Sequence, residues 1–456
     1  MSEATPASEV RFPAGFVFGA ATSAYQIEGA WNEAGKGRSI WDTFSQTPGN
    51  VWNDIPGDVA VDHYHRWAED IALMKEIGLD SYRFSLSWSR LLPDGTGRVN
   101  EAGVEFYSRL IDGLLEAGIS PSITLYHWDL PQALQDKGGW ANRDIVDWFA
   151  EYAALVFERF GDRVPRWVTI NEPIALWVGY GLGIFAPGIA DERVGKQAMH
   201  NAMLAHGRAV EAFRESSAIG EIGIVLDIWA RHPATDSQAD RDLALRDEDD
   251  GFRFFLDELF TGRPSGRIVE RLTASGIMPE LLPVDERIVQ APIDFLGLNV
   301  YSRVVVSAED YNPRWWEAAG SHPGGNYLTN GMEFYPRALT DAVTMVKEDY
   351  GVTLPLFITE NGISLPGDEV VDGAVHDPER IEYLAGFLAE AGRAVAAGAD
   401  IRGFYVWSLL DNYEWSASLS ERYGLVHVDH STQARTMKDS ARWYADVIRN
   451  RRVAER

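Results

Sequence analysis

Residues 81–126 read SYRFSLSWSRLLPDGTGRVNEAGVEFYSRLIDGLLEAGISPSITLY, and this stretch indicates how the chain folds. Residues 81–85 and 122–126 are short runs rich in aromatic or β-branched side chains, which predicts two strands. Between them, residues 101–117 repeat apolar side chains every three or four positions, which predicts one amphipathic helix. The stretch is therefore a strand–helix–strand unit.

The same unit recurs along the chain. Short apolar runs predict eight strands, at residues 16–20, 81–85, 122–126, 166–170, 222–226, 295–299, 356–359 and 403–406. Helical patterns lie between them, at residues 62–77, 101–117, 144–160, 196–216 and 378–397. Three of these helices stop at Gly78, Gly118 and Gly161, where we expect the left-handed conformation that often ends a helix.

Eight strands that alternate with helices predict an α/β fold, a single (β/α)8 TIM barrel with long active-site loops. We expect it to occupy residues 11–450, after a flexible N-terminal tail at residues 1–10. A doubly wound open sheet is the rival, but no G-x-G-x-x-G motif follows an early strand. The alternation of strands and helices is interrupted at residues 300–335 and 364–377, which predicts long loops after strands six and seven.

The amino-acid composition indicates a globular protein and excludes several kinds of partner. The 456 residues are 46% hydrophobic and include 20 Phe, 17 Tyr and 16 Trp, enough to bury a large core. The net charge of −27 argues against nucleic acids and anionic membranes as partners. The chain has no cysteine, and no apolar run approaches the length of about 18 residues that spans a bilayer. The first residues lack the features of a signal peptide, so we expect a soluble, cytoplasmic protein. A monomer and a homo-oligomer are both compatible with this composition.

Polar residues stand where the predicted strands end, which is where such barrels carry their active sites. Among them, Glu172 follows the fourth strand and Glu360 follows the seventh. One glutamate at a strand end is more often a surface or ion-pair residue. Two at one barrel mouth suit glycoside hydrolysis, in which one carboxyl donates a proton and the other attacks or activates water.

The sequence gives less support to a metal site or to a serine nucleophile. His63 and His65 stand two positions apart at the start of a helix, so they do not share a face as two zinc ligands would. The G-x-S-x-G motif of serine hydrolases is missing from the sequence. We therefore expect neither a metal nor a cofactor.

Five motifs together resemble family 1 glycoside hydrolases of the β-glucosidase type. They are FVFGAATSAYQIEG at residues 16–29, YRFSLSWSR at 82–90, TLYHWDLPQAL at 124–134, NEP at 171–173 and ITENG at 358–362. One tripeptide would be weak evidence, but the resemblance keeps the order and spacing of all five and spans residues 11–445.

The resemblance implies a role for each matching residue. Glu172 matches the general acid/base and Glu360 the nucleophile, while Arg83 and Tyr301 match groups that hold and tune the nucleophile. Residues that match the substrate-binding set are Gln26, His127, Asn171, Tyr301, Trp407, Glu414 and Trp415.

The activity that the resemblance implies is a retaining β-glucosidase working by double displacement through a covalent glycosyl-enzyme. It would hydrolyse terminal non-reducing β-D-glucosyl residues of cello-oligosaccharides and of aryl or alkyl β-glucosides. We expect β-galactosides and β-fucosides as side substrates.

Glu414 and Glu172 argue against other activities found among similar proteins. The family's 6-phosphoglycosidases have a small hydroxyl residue at the position of Glu414 and a basic cluster after it. Here residues 416–421 contain no Lys or Arg, and a carboxylate would repel a phosphate. Plant thioglucosidases have Gln at the position of Glu172. A catalytically silent sugar-binding barrel would not need both Glu172 and Glu360.

The chain departs from the family pattern at three places. It has Ser418 and Leu419 where Gly-Tyr is usual, and Val300 where an aromatic residue is usual. Residues 262–266 read GRPSG where an Arg-Tyr-Pro-like segment is usual. These departures put the details of sugar orientation and of the aglycone site in question. Trp315 and Trp316 are candidates for the aglycone side of the cleft, although packing of their own loop is the more common use of such residues.

Overall fold

The computed structural model describes residues 9–311, 322, 324–365, 367 and 369–454. Eight parallel strands close into a barrel. In chain order they are β2 (Val17–Ala21), β3 (Ser81–Ser85), β4 (Ser120–Tyr126), β5 (Arg166–Asn171), β6 (Glu221–Asp227), β8 (Phe295–Asn299), β10 (Leu356–Asn361) and β11 (Ile401–Trp407). Each strand pairs with the next, and β11 closes the ring against β2. All eight predicted strands are in the barrel, so the predicted fold is confirmed.

Helices surround the barrel, and the five predicted helical stretches all contain one. The longer helices are α3 (His63–Ile77), α5 (Glu101–Glu116), α7 (Ile145–Phe160), α8 (Glu192–Glu215), α9 (Gln238–Asp250), α10 (Phe252–Thr261), α11 (Gly266–Ala274), α13 (Ala338–Tyr350), α14 (Pro378–Ala396) and α15 (Asp439–Asn450). Shorter helices in the loops are α1 (Ala24–Ile27), α2 (Ile40–Ser45), α4 (Trp88–Leu91), α6 (Gln132–Gln135) and α12 (Asp285–Val289).

Three small two-stranded sheets lie outside the barrel. Strands β1 (Glu9–Arg11) and β14 (Arg452–Ala454) pair antiparallel, so the two ends of the described chain meet. Strands β12 (Val426–Val428) and β13 (Arg435–Met437) also pair antiparallel. Strands β7 (Arg231–Pro233) and β9 (Val304–Val306) pair in parallel, and β9 lies within the long loop predicted after the sixth barrel strand. Residues 1–8 of the predicted tail lie outside the described residues.

The interior of the barrel is packed with side chains that point inward from the strands. They are Ala21, Val168, Val225, Phe295, Phe357, Tyr405 and Trp407. Below them Arg166 stacks on Phe357 at 4.0 Å and donates to the Tyr405 hydroxyl at 3.1 Å. The floor of the barrel is therefore filled, as in barrels whose sites lie at the opposite, carboxyl-terminal end. Within the described ranges, no helix combines the length and apolar character needed to cross a bilayer.

The glycines after three helices do not all behave alike. Gly78 and Gly118 have the expected left-handed backbone, with φ of 84° and 79°. The expectation was wrong for Gly161, whose φ is −63°. A Cβ there would lie 2.3 Å from the Phe157 carbonyl oxygen and 2.6 Å from the Ala218 Cβ. Close packing, rather than a left-handed turn, requires glycine at this position.

Candidate active site

A cavity of about 820 Å³ opens at the carboxyl-terminal ends of the barrel strands. Several side chains singled out in the sequence line it, namely His127, Glu172, Tyr301, Glu360, Trp407, Glu414 and Trp415. Arg83, Asn171 and Gln26 are buried directly behind this lining and bond to it. The fold thus brings residues from distant parts of the chain to one place.

Glu360, at the end of β10, is held by two side chains. Arg83 of β3 donates from Nη1 to Glu360 Oε1 at 2.7 Å, and the Tyr301 hydroxyl donates to Oε2 at 2.7 Å. The Glu360 backbone is fixed as well, because its carbonyl accepts from the Val300 amide at 3.1 Å. Both carboxylate oxygens therefore have a donor, and the side chain has a single defined orientation.

Glu172 follows β5 and has a different environment. Asn299, at the end of β8, donates from Nδ2 to Glu172 Oε1. The backbone amide of Glu172 donates to the Val225 carbonyl of β6 at 2.9 Å. No described cation pairs with this carboxyl group within salt-bridge distance. Glu172 is thus a buried carboxyl group held by a neutral amide.

The two glutamates differ in how firmly they hold a proton. Burial raises the pKa of Glu172 well above its usual range, and the nearby carboxylates of Asp227 and Glu360 raise it further. Burial also raises the pKa of Glu360, but the Arg83 charge and the hydrogen bonds from Arg83 and Tyr301 oppose that rise. When two carboxyl groups share a buried site, the one beside the cation ionises first. The site therefore favours ionised Glu360 next to protonated Glu172.

Asn171 connects the two halves of the site. Its Oδ1 accepts from Arg83 Nη2 at 2.5 Å and from Asn299 Nδ2 at 3.2 Å. Its Nδ2 donates to His127 Nε2 at 3.1 Å. Burial and the Arg83 charge lower the pKa of His127 well below its usual range, so the ring is neutral. With Nε2 accepting, the ring proton lies on Nδ1, which has no bonded partner among the described residues.

Glu414 forms a second polar cluster at the cavity. Its Oε2 accepts from Gln26 Nε2 at 3.1 Å and from Asn412 Nδ2 at 3.2 Å. Ser23 donates from Oγ to Gln26 Oε1 at 2.6 Å, which fixes the orientation of the Gln26 amide. Burial raises the pKa of Glu414 to about 8, against the hydrogen bonds from Asn412 and Gln26.

Aromatic rings form one wall of the cavity. The Trp415 ring lies 4.5 Å from Trp128 and 4.7 Å from Trp41, measured between ring centroids. His127 stacks on Trp407 at 5.7 Å. These contacts hold the two predicted tryptophans in fixed positions beside the polar groups. A flat apolar face next to hydrogen-bonding groups suits a ring that carries hydroxyls.

Three residues of the cavity wall have unusual backbone conformations. Glu172, Trp128 and Trp415 have φ values of 47°, 80° and 51°. Such a conformation costs a non-glycine residue about 1–3 kcal/mol and persists where surrounding contacts enforce it. One such contact is the bond from Trp128 Nε1 to the Asn171 carbonyl, at 2.8 Å. Strain of this kind is concentrated at sites that position side chains for function.

The outer part of the cavity is polar and charged. Arg231 donates from Nε to Asp247 Oδ2 at 2.5 Å, and Arg303 binds both oxygens of Glu333 at 2.8 and 2.9 Å. Trp315 and Trp316, the candidates for this side of the cleft, lie outside the described residues.

The three departures from the family pattern lie away from the cavity lining. Val300 is completely buried in the core around the barrel. Ser418 is buried with φ 54° and donates from Oγ to the Ile55 carbonyl at 2.8 Å, while Leu419 packs against the core. Residues 262–265 lie between α10 and α11, and Gly266 is the first residue of α11.

Asn299 and Asp227 also belong to the site, although no sequence motif gave either residue a role. Asn299 is the last residue of β8 and bonds Glu172. Asp227 is the last residue of β6 and lines the cavity. Both are polar residues at strand ends, the feature that pointed to the two glutamates. Asn299 ends the predicted sixth strand, whereas the predicted fifth strand stops at residue 226, one residue before Asp227.

Comparison with known proteins gives one consistent result. The model of the family "Glycosyl hydrolase family 1" matches residues 8–453. The chain is 44% identical to beta-glucosidase A of Acetivibrio thermocellus over 450 residues, which cover 97% of this chain and 99% of that one. It is 45% identical to 1,4-beta-D-glucan glucohydrolase of Thermotoga neapolitana over 446 residues, 96% of this chain and 98% of that one.

Solved structures agree. The family 1 β-glucosidase of Thermotoga maritima superposes with a TM-score of 0.91 at 45% identity, with 97% of this chain and 99% of that one covered. The same enzyme in complex with galacto-hydroximolactam superposes with a TM-score of 0.90 over the same shares, also at 45% identity. With a matching family model over nearly its full length and relatives this similar, the chain belongs to glycosyl hydrolase family 1 and is a glycoside hydrolase.

Proposed function

We propose that the protein is a retaining β-glucosidase that acts by double displacement. The observation that carries this proposal is the pair Glu172 and Glu360, two buried carboxyl groups that face one cavity in contrasting electrostatic surroundings. Retaining hydrolysis needs one protonated and one ionised carboxyl at the scissile bond. The β-glucosidase names of the relatives support the same activity.

In the first step Glu172 gives its proton to the glycosidic oxygen while Glu360 attacks the anomeric carbon from the opposite face. The bond between that carbon and the glycosidic oxygen breaks, and the aglycone leaves as an alcohol. Glu360 becomes a glycosyl ester, and Glu172 is left as a carboxylate.

In the second step the Glu172 carboxylate takes a proton from water as the water oxygen attacks the anomeric carbon. The ester bond to Glu360 breaks, Glu360 regains its charge and Glu172 regains its proton. Two inversions at one carbon give a product with the original β configuration.

Arg83 and Tyr301 prepare Glu360 for attack. Arg83 favours the ionised carboxylate and lies 2.7 Å from Oε1. Tyr301 holds the other oxygen at the same distance and fixes the side chain toward the cavity. The hydrogen bonds from Arg83 and Tyr301 weaken when Glu360 loses its charge in the ester. These two donors therefore stabilise the covalent intermediate less than the free carboxylate.

The remaining polar groups match a glucose ring in the site. We infer that Glu414 and Gln26 bind the hydroxyls farthest from the anomeric carbon and that His127 donates from Nδ1 to a neighbouring hydroxyl. Asn171 stands beside the acid, where it can bind the 2-hydroxyl. The tryptophans at 407 and 415 supply the apolar face. β-Galactosides and β-fucosides should be side substrates, in keeping with the galacto-hydroximolactam bound by the Thermotoga maritima enzyme.

The preferred substrates are unphosphorylated glucosides, including cello-oligosaccharides and aryl or alkyl β-glucosides. The relative named 1,4-beta-D-glucan glucohydrolase supports the oligosaccharides. Glu414 supports the lack of phosphate, because it occupies the sugar-binding end together with the neutral amides of Gln26 and Asn412, and a phosphate would need a cation there. The nearby Arg422 is engaged by Asp411 at 3.2 Å and by the Val428 carbonyl at 2.7 Å.

A proton NMR time course with nitrophenyl β-D-glucoside tests the proposal directly. The anomeric proton of β-glucose should appear first, with α-glucose growing in later at the rate of spontaneous mutarotation. The Glu360→Gln variant is the control, since it should release neither anomer.

Each other outcome overturns a part of the proposal. If α-glucose appears first, the reaction inverts and the two glutamates have other roles. If neither anomer forms although the protein is folded, the assay is repeated with the 6-phosphoglucoside. Turnover of the 6-phosphoglucoside would contradict the proposed substrate, and no turnover of either would contradict the proposed activity.

A further inference from the structure

Asp227 lies at the mouth of the barrel, next to the acid/base. It follows Val225 on the inward face of β6, and Val225 packs inside the barrel. In the strand register Asp227 is opposite Asn299 of β8. It therefore points toward the same cavity as Glu172, and both residues line that cavity.

Asn299 connects the Glu172 carboxyl group to the backbone beside Asp227. Its side-chain amide donates to Glu172 Oε1, and its carbonyl accepts from the Ile228 amide at 3.0 Å. The residue that binds Glu172 is thus bonded to the residue directly after Asp227. This arrangement fixes the position of Asp227 relative to Glu172 through two adjacent strands rather than through a flexible loop.

The Asp227 carboxyl group is only partly compensated. Its Oδ1 atom is buried and has no hydrogen-bond partner in the part of the chain that the structure describes. Burial raises the pKa of this carboxyl group, and the charge of Arg231 and the Trp229 side chain oppose that rise. The guanidinium of Arg231 is itself bound to Asp247 at 2.5 Å. A buried carboxyl group without its own cation keeps most of its effect on neighbouring charges.

Charged side chains from several strands surround Glu172 and Asp227. Glu172 is surrounded by Glu360 of β10, Arg83 of β3 and Asp227 of β6, with the neutral His127 beside Asn171. Asp227 is influenced by Arg231 and by Glu360. Glu360 is already compensated by Arg83 at 2.7 Å, whereas neither Glu172 nor Asp227 has a cation at salt-bridge distance among the described residues.

We propose that Asp227 is a positioning residue for proton transfer, whose carboxylate keeps the transferable proton on Glu172 until the glycosidic oxygen takes it. The proposal rests on the role of Glu172 as acid/base. Two buried carboxyl groups side by side resist ionising together, so the proton is harder to remove from Glu172 when Asp227 is charged. Burial raises the pKa of Asp227 to about 7, so it is charged on the alkaline side of neutrality, where Glu172 would otherwise lose its proton.

The same repulsion helps the second step. After Glu172 has given up its proton, its carboxylate lies next to the Asp227 carboxylate. The repulsion makes Glu172 a stronger base toward the attacking water, which returns the proton to it. One neighbouring charge therefore keeps Glu172 protonated before the first step and makes it a better base in the second, without touching the substrate.

The Asp227→Asn variant tests the proposal because asparagine keeps the shape and can still accept from Trp229. Removing the charge lowers the pKa of Glu172, so the alkaline limb of the kcat/KM profile should move to lower pH. We expect a move of about one pH unit, which is about a tenfold loss of kcat/KM on the alkaline side and little change on the acid side. Asp227→Ala, which adds no amide, should move the limb the same way, and Asp227→Glu should restore it.

Asp310→Asn is the matched control. Asp310 is an exposed aspartate that also lines the cavity, so a general change of cavity charge would move the limb in this variant as well. We expect its profile to coincide with the wild-type profile. An alkaline limb that stays at the wild-type pH in folded Asp227→Asn and Asp227→Ala would overturn the proposal, and so would an equal shift in Asp310→Asn.

A double-mutant cycle separates this proposal from the proposed function. With nitrophenyl β-D-glucoside, whose leaving group is assisted by an acid but is good enough for the variant to be assayed, Glu172→Gln should lose the alkaline limb, and adding Asp227→Asn should then change nothing. If Glu172→Gln keeps the limb, the acid/base assignment itself is wrong. If that variant loses the limb but Asp227→Asn still lowers kcat/KM in the double variant, Asp227 acts by another route and only the present proposal fails.

Discussion

Arg83 and Glu360 form an ion pair across the mouth of the barrel, with 2.7 Å between Nη1 and Oε1. Their side chains are 1% and 5% exposed, so solvent screens the pair little. Arg83 also binds Asn171 Oδ1 at 2.5 Å, next to Glu172 in the chain. One guanidinium therefore sets the charge of the proposed nucleophile and the position of the residue beside the proposed acid.

Replacing the nucleophile should stop turnover without unfolding the barrel. We expect Glu360→Ala to lower kcat by at least about 10⁴-fold, because no covalent intermediate can form. Added azide should enter the space left by the carboxylate and yield the α-glycosyl azide from an activated β-glucoside, since only one inversion occurs. Circular dichroism checks the fold and NMR identifies the product. Normal hydrolysis by this variant would contradict the role of Glu360.

Loss of the acid should depend on the leaving group. With Glu172→Gln, alkyl glucosides should lose about 10²–10⁴-fold in the glycosylation step, because their alkoxide leaves poorly without a proton. A dinitrophenyl glucoside should lose far less in that step. Pre-steady-state release of the phenol measures it. Equal losses for good and poor leaving groups would show that Glu172 is not the proton donor.

The hydroxyl of Tyr301 should set the acid limb of the pH profile. Its hydrogen bond favours ionised Glu360, so Tyr301→Phe raises the pKa of Glu360 and should move the acid limb of kcat/KM to higher pH. Loss of a hydrogen bond to a charged group predicts about a 10- to 100-fold lower kcat.

Tyr311→Phe provides the matched control for this prediction. Tyr311 also lines the cavity and donates to a carboxylate, Asp247, at the same distance of 2.7 Å. Its removal should leave the acid limb in place. Coincident profiles for Tyr301→Phe and the wild-type enzyme would mean that the hydroxyl does not act on the nucleophile.

Glu414 should decide between plain and phosphorylated sugars. Glu414→Ser removes the acceptor bonded to Gln26 and Asn412, and we expect kcat/KM for a plain glucoside to fall by about 10²-fold. The ratio of activity on the 6-phosphoglucoside to activity on the plain glucoside should rise, because the plain glucoside loses its acceptor and the smaller serine leaves room for a phosphate. Steady-state kinetics on both substrates measures this ratio, and a ratio that stays constant would contradict the proposed role in sugar selection.

His200 should make stability depend on pH on the alkaline side. It bonds Glu258 at 2.6 Å and Asp285 at 3.0 Å, and their charges and hydrogen bonds, opposed by burial, raise its pKa to about 9. The folded pKa lies above the unfolded value of about 6.5, so the stabilisation is complete below that pH and is lost as the pH rises through about 9. The loss should be on the order of 3 kcal/mol, because each unit of pKa difference between the folded and unfolded states corresponds to about 1.4 kcal/mol.

Thermal unfolding across this pH range measures the effect of His200. His200→Gln should flatten the alkaline fall in Tm. His65→Gln is the control, because His65 is 48% exposed and its bond to Asp62 at 2.6 Å is screened by solvent. An alkaline fall in Tm that is unchanged in His200→Gln would place its origin elsewhere in the protein.

Strand positions could be predicted because buried parallel strands need short apolar runs, and all eight runs are in the barrel. The ends of those runs also pointed to Glu172 and Glu360, since parallel strands bring their carboxyl ends to one face. The conformation of Gly161 could not be predicted. Its need for glycine comes from the Ala218 side chain, which lies far along the sequence.

The departures from the family pattern needed the fold for their interpretation. Val300 follows a strand whose end faces the cavity, yet its side chain is buried in the surrounding core. Ser418 occupies a position where glycine is usual, and its positive φ of 54° shows why glycine is favoured there. The contact from Ser418 Oγ to the Ile55 carbonyl joins segments that are distant in the chain, so no local pattern reveals it.

The sequence by itself determined the order of strands and helices, the polar residues at strand ends and, through its motifs, the family. These features follow from periodicity and residue type, which are local along the chain. Only the tertiary structure decided which carboxyl group lies next to a cation and which lies next to another carboxyl group. Closure of the barrel brings Arg83 of β3 to Glu360 of β10, and the pairing of β5 with β6 brings Asp227 near Glu172. Proton affinity depends on burial and on charges in space, so the contrast between the two glutamates arises only in the folded chain.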